Sequence, residues 1–150
     1  MTPDEYPAWE EIAVRSYAES QVRAGNWAPE VAIELSAKEL LGLLTEGVST
    51  PGHNLWVARD VETAARVGTL WMIVRSQGGY TEAYVYDLWV ESDQRGAGYG
   101  RAIMEAGAAV AKERGADAMA LNVHGYNHRA YSLYRSLGYQ VANSHMRLPL

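Results

Sequence analysis

Apolar positions recur at helical spacing through the first third of the chain and at strand spacing after it. From Tyr6 to Ala24, Trp9, Ile12, Ala13 and Tyr17 form a stripe that Gly25-Asn26 ends, which predicts a first helix. Pro29 suits the first turn of a second helix, in which Val31, Ile33, Leu35, Leu40, Leu41 and Leu44 continue toward Gly47. Ser49-Thr50-Pro51-Gly52-His53 has the composition of a loop. The period then shortens, so Leu55–Arg59 and Gly68–Arg75 read as short strands joined by a polar turn around Asp60–Thr63. Thr81–Val90 is a third strand, with few charges beyond Glu82 and Asp87, and it is expected in the middle of a sheet.

A 3.6-residue period returns at Arg101–Arg114. There Ile103, Met104, Gly107, Val110 and Ala111 share a face, Lys112 and Arg114 lie in the last turn, and Gly115 is the stop. Ala118–Val123 predicts another strand and Asn127–Leu137 a short helix, with closing strands near Gln140-Val141 and His145–Leu148. Two helices, a meander and then strand, helix, strand, helix and strands make an α+β mixed sheet flanked by helices. With 150 residues, 48% of them apolar, one domain over residues 1–150 is expected, without repeats or linkers.

Charge and composition narrow the chemistry. The net charge of −5 disfavours nucleic-acid binding. Residues 1–66 carry eleven acids against five Lys/Arg, and residues 67–150 seven against eight, so the acidic surplus lies wholly in the first part. That distribution fits either plainly acidic helix surfaces or a front end that attracts a cationic acceptor while the rear holds an anion. No apolar run reaches the ~18 residues of a membrane helix, and Asp4 and Glu5 occupy the start of the chain, so a cytoplasmic protein without membrane partners is expected. Zero cysteines exclude disulfides, thiolate metal sites and a cysteine nucleophile. His124 and His128 are interrupted by Gly125 and Asn127, and His53 and His145 are remote, so no metal is expected.

The sharpest local feature is Arg95-Gly96-Ala97-Gly98-Tyr99-Gly100, between the strand ending at Val90 and the helix starting near Arg101. Glycines allow a tight turn with inward N–H groups, and the helix N-terminus adds partial positive charge, so the loop suits a pyrophosphate. No Lys-Ser/Thr follows Gly100, which excludes a Walker loop, and the late position with Gly-x-Gly-x-Gly spacing excludes a dinucleotide fingerprint.

Arg95-x-x-Gly98-x-Gly100 resembles the Arg/Gln-x-x-Gly-x-Gly/Ala signature of the GNAT superfamily of N-acetyltransferases. The strand Asp87-Leu88-Trp89-Val90 leads into it, and Asn127-x-x-Ala130-x-x-x-Tyr134 with Leu137-Gly138-Tyr139 resembles the family's second motif, so the likeness covers roughly residues 54–148. It implies a mostly antiparallel sheet splayed between its fourth and fifth strands, here Thr81–Val90 and Ala118–Val123, with the arm of acetyl-CoA in the gap. Backbone groups of Leu88, Trp89 and Val90 would then meet the pantetheine. The N–H groups of Arg95, Gly96, Ala97, Gly98, Tyr99, Gly100 and Arg101 would meet the pyrophosphate, with Asn127 and Ala130 beside it.

The same resemblance places the general acid at Tyr134, whose other reading is a core tyrosine. The base stays open among Asp87, Tyr84, Glu82 and a water chain. Strict alternation would put Glu82, Tyr84, Tyr86 and Leu88 on one face and Ala83, Val85, Asp87 and Trp89 on the other. The acceptor is implied to be an amine of a small molecule or peptide, bound among Tyr17, Asn26, Trp27, His53, Trp56, Tyr80 and Tyr84. A homodimer is the family's common arrangement, and a non-catalytic acyl-CoA-binding module is the alternative function.

Overall fold

The structure, a computed structural model, describes residues 1–148. Helices α1 (Tyr6–Arg23) and α2 (Pro29–Leu43) precede strands β1 (His53–Arg59), β2 (Arg66–Gln77) and β3 (Tyr80–Val90). Helix α3 (Tyr99–Glu113), strand β4 (Ala118–Leu121) and helix α4 (His128–Ser136) follow. The sheet runs β1-β2-β3-β4, antiparallel through β3 and parallel between β3 and β4, so β3 is interior as its composition implied.

Each face of the sheet carries its own core. Leu70, Met72, Ala83 and Val85 pack against Ile103, Met104 and Ala111 of α3. Gly107 lets α3 lie close, because a Cβ there would stand 2.7 Å from Leu70 Cδ2. On the opposite face Leu55 and Trp71 pack against Trp9 and Ala13 of α1, Leu40 of α2 and Leu44 just after it.

Three features depart from the sequence reading. In α2 the buried stripe is Ala32, Ser36 and Leu40, while Val31, Ile33 and Leu41 are exposed. The small residues let α2 approach α1, and the Ser36 hydroxyl donates 2.7 Å to the Val14 carbonyl, so size rather than hydropathy chose the face. The closing strands are absent: residues 140–148 take no regular structure, and Arg147 donates instead to Asn26 Oδ1 at 2.6 Å. Ala142, Asn143 and Ser144 are weak strand formers. The sheet has four strands among the described residues, so the two expected to splay are its third and fourth.

The fourth feature of note is a bulge in β3. Asp87 pairs with Trp71, yet Val85 pairs with the next residue of β2, Met72, leaving Tyr86 without a partner on that side. An extra residue shifts the side-chain phase. Ala83 and Val85 before it and Leu88 and Val90 after it therefore share the α3 face. Asp87, opposite Trp71, joins the α1 face with Tyr86, which corrects the strict alternation expected from the sequence.

Candidate active site

β3 and β4 separate where the bulge begins. They pair only from Glu82↔Ala118 to Val85↔Leu121, and β3 then runs on to Val90 with no β4 partner. This leaves the backbone of Leu88, Trp89 and Val90 on that edge open at the mouth of the glycine loop.

The loop itself is held in an unusual backbone state. Gly96 and Gly98 have φ of 93° and 91°, the left-handed region that side chains disfavour. Gly98 is the residue before α3, and its carbonyl accepts from the N–H of Arg101 at 3.0 Å. Among the described residues, the N–H groups from Arg95 to Gly100 have no hydrogen-bond partner. A Cβ at Gly98 would meet nothing within 4 Å, so the backbone angle and not space demands glycine there. Open space, free N–H donors and a helix N-terminus together fit a phosphate group.

Several side chains fix the rim. Arg95 Nε donates 3.0 Å to the Val90 carbonyl, and its guanidinium lies 4.9 Å from the Trp89 ring centroid, so it is folded back onto the strand end. The Tyr99 hydroxyl donates 2.8 Å to Asp60 Oδ2, tying the loop to the turn between β1 and β2. Bonds from Thr63 and from Tyr99 hold the Asp60 carboxyl down at about 2. Arg101 is engaged by Ser136 at 2.6 Å and Glu105 at 3.5 Å. Arg129, which no motif singled out, reaches the loop from α4: a Cβ on Gly96 would lie 3.9 Å from its Nη2. The Asn127 side chain caps α4 by accepting 3.1 Å from the Ala130 N–H.

The two titratable groups of most interest, Asp87 and Tyr134, influence each other electrostatically. Burial pushes the Asp87 carboxyl up to about 6, partly opposed by a hydrogen bond from the Trp9 indole. Burial also pushes the Tyr134 phenol up to about 12, and the Asp87 charge adds to that, which places the pair in one electrostatic neighbourhood. Tyr139, 5.7 Å from Tyr134 between ring centroids, is likewise raised to about 12 by burial. At neutral pH the carboxyl is mostly ionised and the phenol protonated.

Tyr84 is set apart from this pair. It stacks edge-on to Tyr86 at 5.0 Å, carries the Arg75 guanidinium 5.0 Å over its ring, and is raised mainly by burial. Glu82 is engaged by Arg75 at 2.8 Å. Beyond Tyr84, the α1 face continues as an aromatic wall. Trp71 stacks on Tyr86 at 4.6 Å and stands edge-on to Trp9 at 5.7 Å, and its indole N–H donates 2.9 Å to His53 Nδ1. Burial lowers the His53 pKa. Tyr17 meets Trp27 at 5.4 Å and donates 2.9 Å to Glu39.

Trp56, expected beside the acceptor, sits instead on the α3 face, where it packs against the aliphatic core. Its partner on β2 is Leu70 of that core, so strand parity sends it away from His53. Tyr80, half exposed at the start of β3, lies far along the strand from Asp87. The Trp9 and Thr69 side chains also line this side of the sheet and were not legible as site residues. Thr69 is fully buried, and its hydroxyl is the one buried side-chain polar atom without a partner among the described residues. No three His, Cys, Asp or Glu side chains among the described residues are grouped as a metal site requires, and no described helix is long and apolar enough to cross a membrane.

Residues 7–139 match the Acetyltransferase (GNAT) family. YycN of Bacillus subtilis, an uncharacterized N-acetyltransferase, is 33% identical over 93% of this chain and 89% of its own. Its crystal structure superposes with a TM-score of 0.94, covering 100% of this chain and 95% of the other. A Pyrococcus furiosus protein described as an acetyl transferase gives a TM-score of 0.71 at 26% identity, covering 93% of each chain. A mycothiol acetyltransferase of Propionibacterium freudenreichii is 38% identical over 60% of this chain and 28% of its own length.

Proposed function

The chain belongs to the GNAT acetyltransferase family, and on that premise we propose that residues 1–150 form one domain that moves an acetyl group from acetyl-CoA directly to a bound primary amine in a ternary complex. The observation that carries this reading is the juxtaposition at the end of β3. The left-handed glycine loop with its free N–H groups follows that strand, the backbone of Leu88–Val90 has no β4 partner, and Asp87 on the same stretch lies within electrostatic reach of Tyr134.

Acetyl-CoA supplies an activated thioester and a leaving thiolate. The N–H groups from Gly96 to Gly100 and the α3 N-terminus bind its pyrophosphate, with Arg129 as a cation beside the loop, while the open edge of β3 receives the pantetheine amides as an added strand would. An acceptor ammonium of pKa ~10.4 must lose a proton before it attacks. Asp87, raised toward neutrality, is suited to take that proton. Tyr134 then donates a hydrogen bond to the departing sulfur. Because the Asp87 charge is one cause of the phenol's weak acidity, protonation of Asp87 makes Tyr134 a better donor at the moment one is needed.

The acceptor lies along the α1 face, where Tyr17, Trp27, Tyr84 and Tyr86 provide ring faces and Glu39, which accepts from Tyr17, an acid. Calorimetric titration with acetyl-CoA and CoA, followed by thiol release against a panel of amines, tests the reading. Binding with amine-dependent release is the expected result. Binding without release from any amine points to the non-catalytic module, and no binding overturns the proposal.

A further inference from the structure

The Thr69 hydroxyl is an anomaly in a well-paired interior. The residue is 0% exposed, and its Oγ1 has no hydrogen-bond partner among the described residues. A buried hydroxyl left alone is costly, so a chain that keeps one there rather than a valine needs a reason.

Strand register says where this hydroxyl points. On β2, Leu70 and Met72 belong to the α3 core while Trp71 belongs to the α1 core, so Thr69, two residues from Trp71, faces α1. Its cross-strand partners are Val57 and Trp89. Trp71 is directly opposite Asp87, which makes Thr69 and Asp87 diagonal neighbours on one face, with Cβ atoms about 7 Å apart. A gap of this size between two polar groups is spanned by one water, which needs two to four polar partners.

We propose that Thr69 is a positioning residue for Asp87, its hydroxyl and the Asp87 carboxylate holding one water between them under the Trp9 indole. The inference rests on the reading of Asp87 as the base, and it adds the group that orients it. The water donates one hydrogen to the carboxylate and accepts from the threonine. The ionised form thereby gains a second donor besides Trp9. Other titratable groups in the surrounding packing are Tyr134 from α4 with Tyr139 behind it, Tyr86 on β3, His53 on β1 beyond Trp71, and the Tyr6–Glu10 pair on α1. The Arg66–Glu91 ion pair, 2.9 Å apart, closes the strand ends nearby. None of these takes the Thr69 hydroxyl.

The test is a carboxyl titration by carbon-13 NMR on the whole protein without substrates, the Asp87 signal being assigned by its loss in Asp87→Asn. Thr69→Val keeps the shape and removes the donor. Its Asp87 midpoint should rise by about half a pH unit or more, since the charged form loses a hydrogen bond. Thr69→Ser should restore the wild-type midpoint, and the acidic limb of kcat/KM should move in parallel. If Thr69→Val fails to fold, Thr69→Ala reads the same midpoint. An unchanged or lowered midpoint in the valine or alanine variant overturns the inference. Because no substrate is present, this result is independent of whether Asp87 is the base, which the activity of Asp87→Asn decides separately.

Discussion

The two faces of the sheet are built from different materials. Facing α3, the fully buried cluster is aliphatic and thioether with no ionisable member, and Trp56, Tyr134 and Tyr139 border it. Facing α1, tryptophans, tyrosines and a histidine alternate with Asp87, Thr69 and Ser36, each polar group engaged or within reach of a partner. The aliphatic face gains most from burial and asks only for shape. The aromatic face gives up some of that gain to keep polar atoms inside, which is where perturbed titration and chemistry become available. The separation is one of degree, since Asp87 lies on the aromatic side while Tyr134 borders the aliphatic cluster.

Substitutions on either side sharpen or break that contrast. The largest expected effect is on the aliphatic face: Met104→Ala, at a site 2% exposed, should cost about 3–4 kcal/mol in denaturant unfolding while the pH dependence of turnover keeps its shape. Next, Asp87→Asn should lower kcat by about a hundredfold. Its stability should move the opposite way. With the folded-state carboxyl raised to about 6 above an unfolded value near 3.8, the folded form holds its proton longer, so stability is full below the lower value and declines as pH rises through the upper one. The asparagine variant should therefore be more stable than wild type by about 3 kcal/mol at pH 8 and show no such advantage at pH 3, as urea melts at the two pH values would reveal. Equal melts at pH 8 would contradict the burial of a charge there.

Smaller effects belong to the site's periphery. Gly98→Ala forces a side chain into left-handed backbone and should weaken CoA binding about tenfold by calorimetry, with little direct clash. Tyr134→Phe should reduce turnover by about tenfold and leave the acetyl-CoA dissociation constant unchanged, because the lost hydrogen bond acts in the transition state. A tyrosine serving only the core would show a stability loss with normal turnover.

The order of elements from α1 to α4 was legible because each carries its own period and its own stop, such as Gly25 after α1 and Gly115 after α3. The glycine loop was legible for a related reason: left-handed φ at Gly96 and Gly98 leaves little choice of residue, so geometry is written into composition. What periodicity misjudged were features fixed by partners. Val31 and Ile33 look like core until the small face of Ala32 and Ser36 takes the contact, and Trp56 looks like site until strand parity sends it to the other core. Trp9, Thr69 and Arg129 belong to no motif, because their interest lies in what stands across from them. The position of Asp87 itself was found, but its face was not, since no local signal announces an unpaired Tyr86.

That unpaired residue is one whose loss the pairing on either side could absorb. At Tyr86 a change of side chain would alter its aromatic contacts, whereas loss of the codon would let Asp87 follow Val85 directly, still opposite Trp71 and still on the α1 face, with Leu88 still under α3. A three-base deletion would therefore straighten the strand without exchanging its faces, so what the extra residue adds is a ring against Trp71 and a local twist of β3.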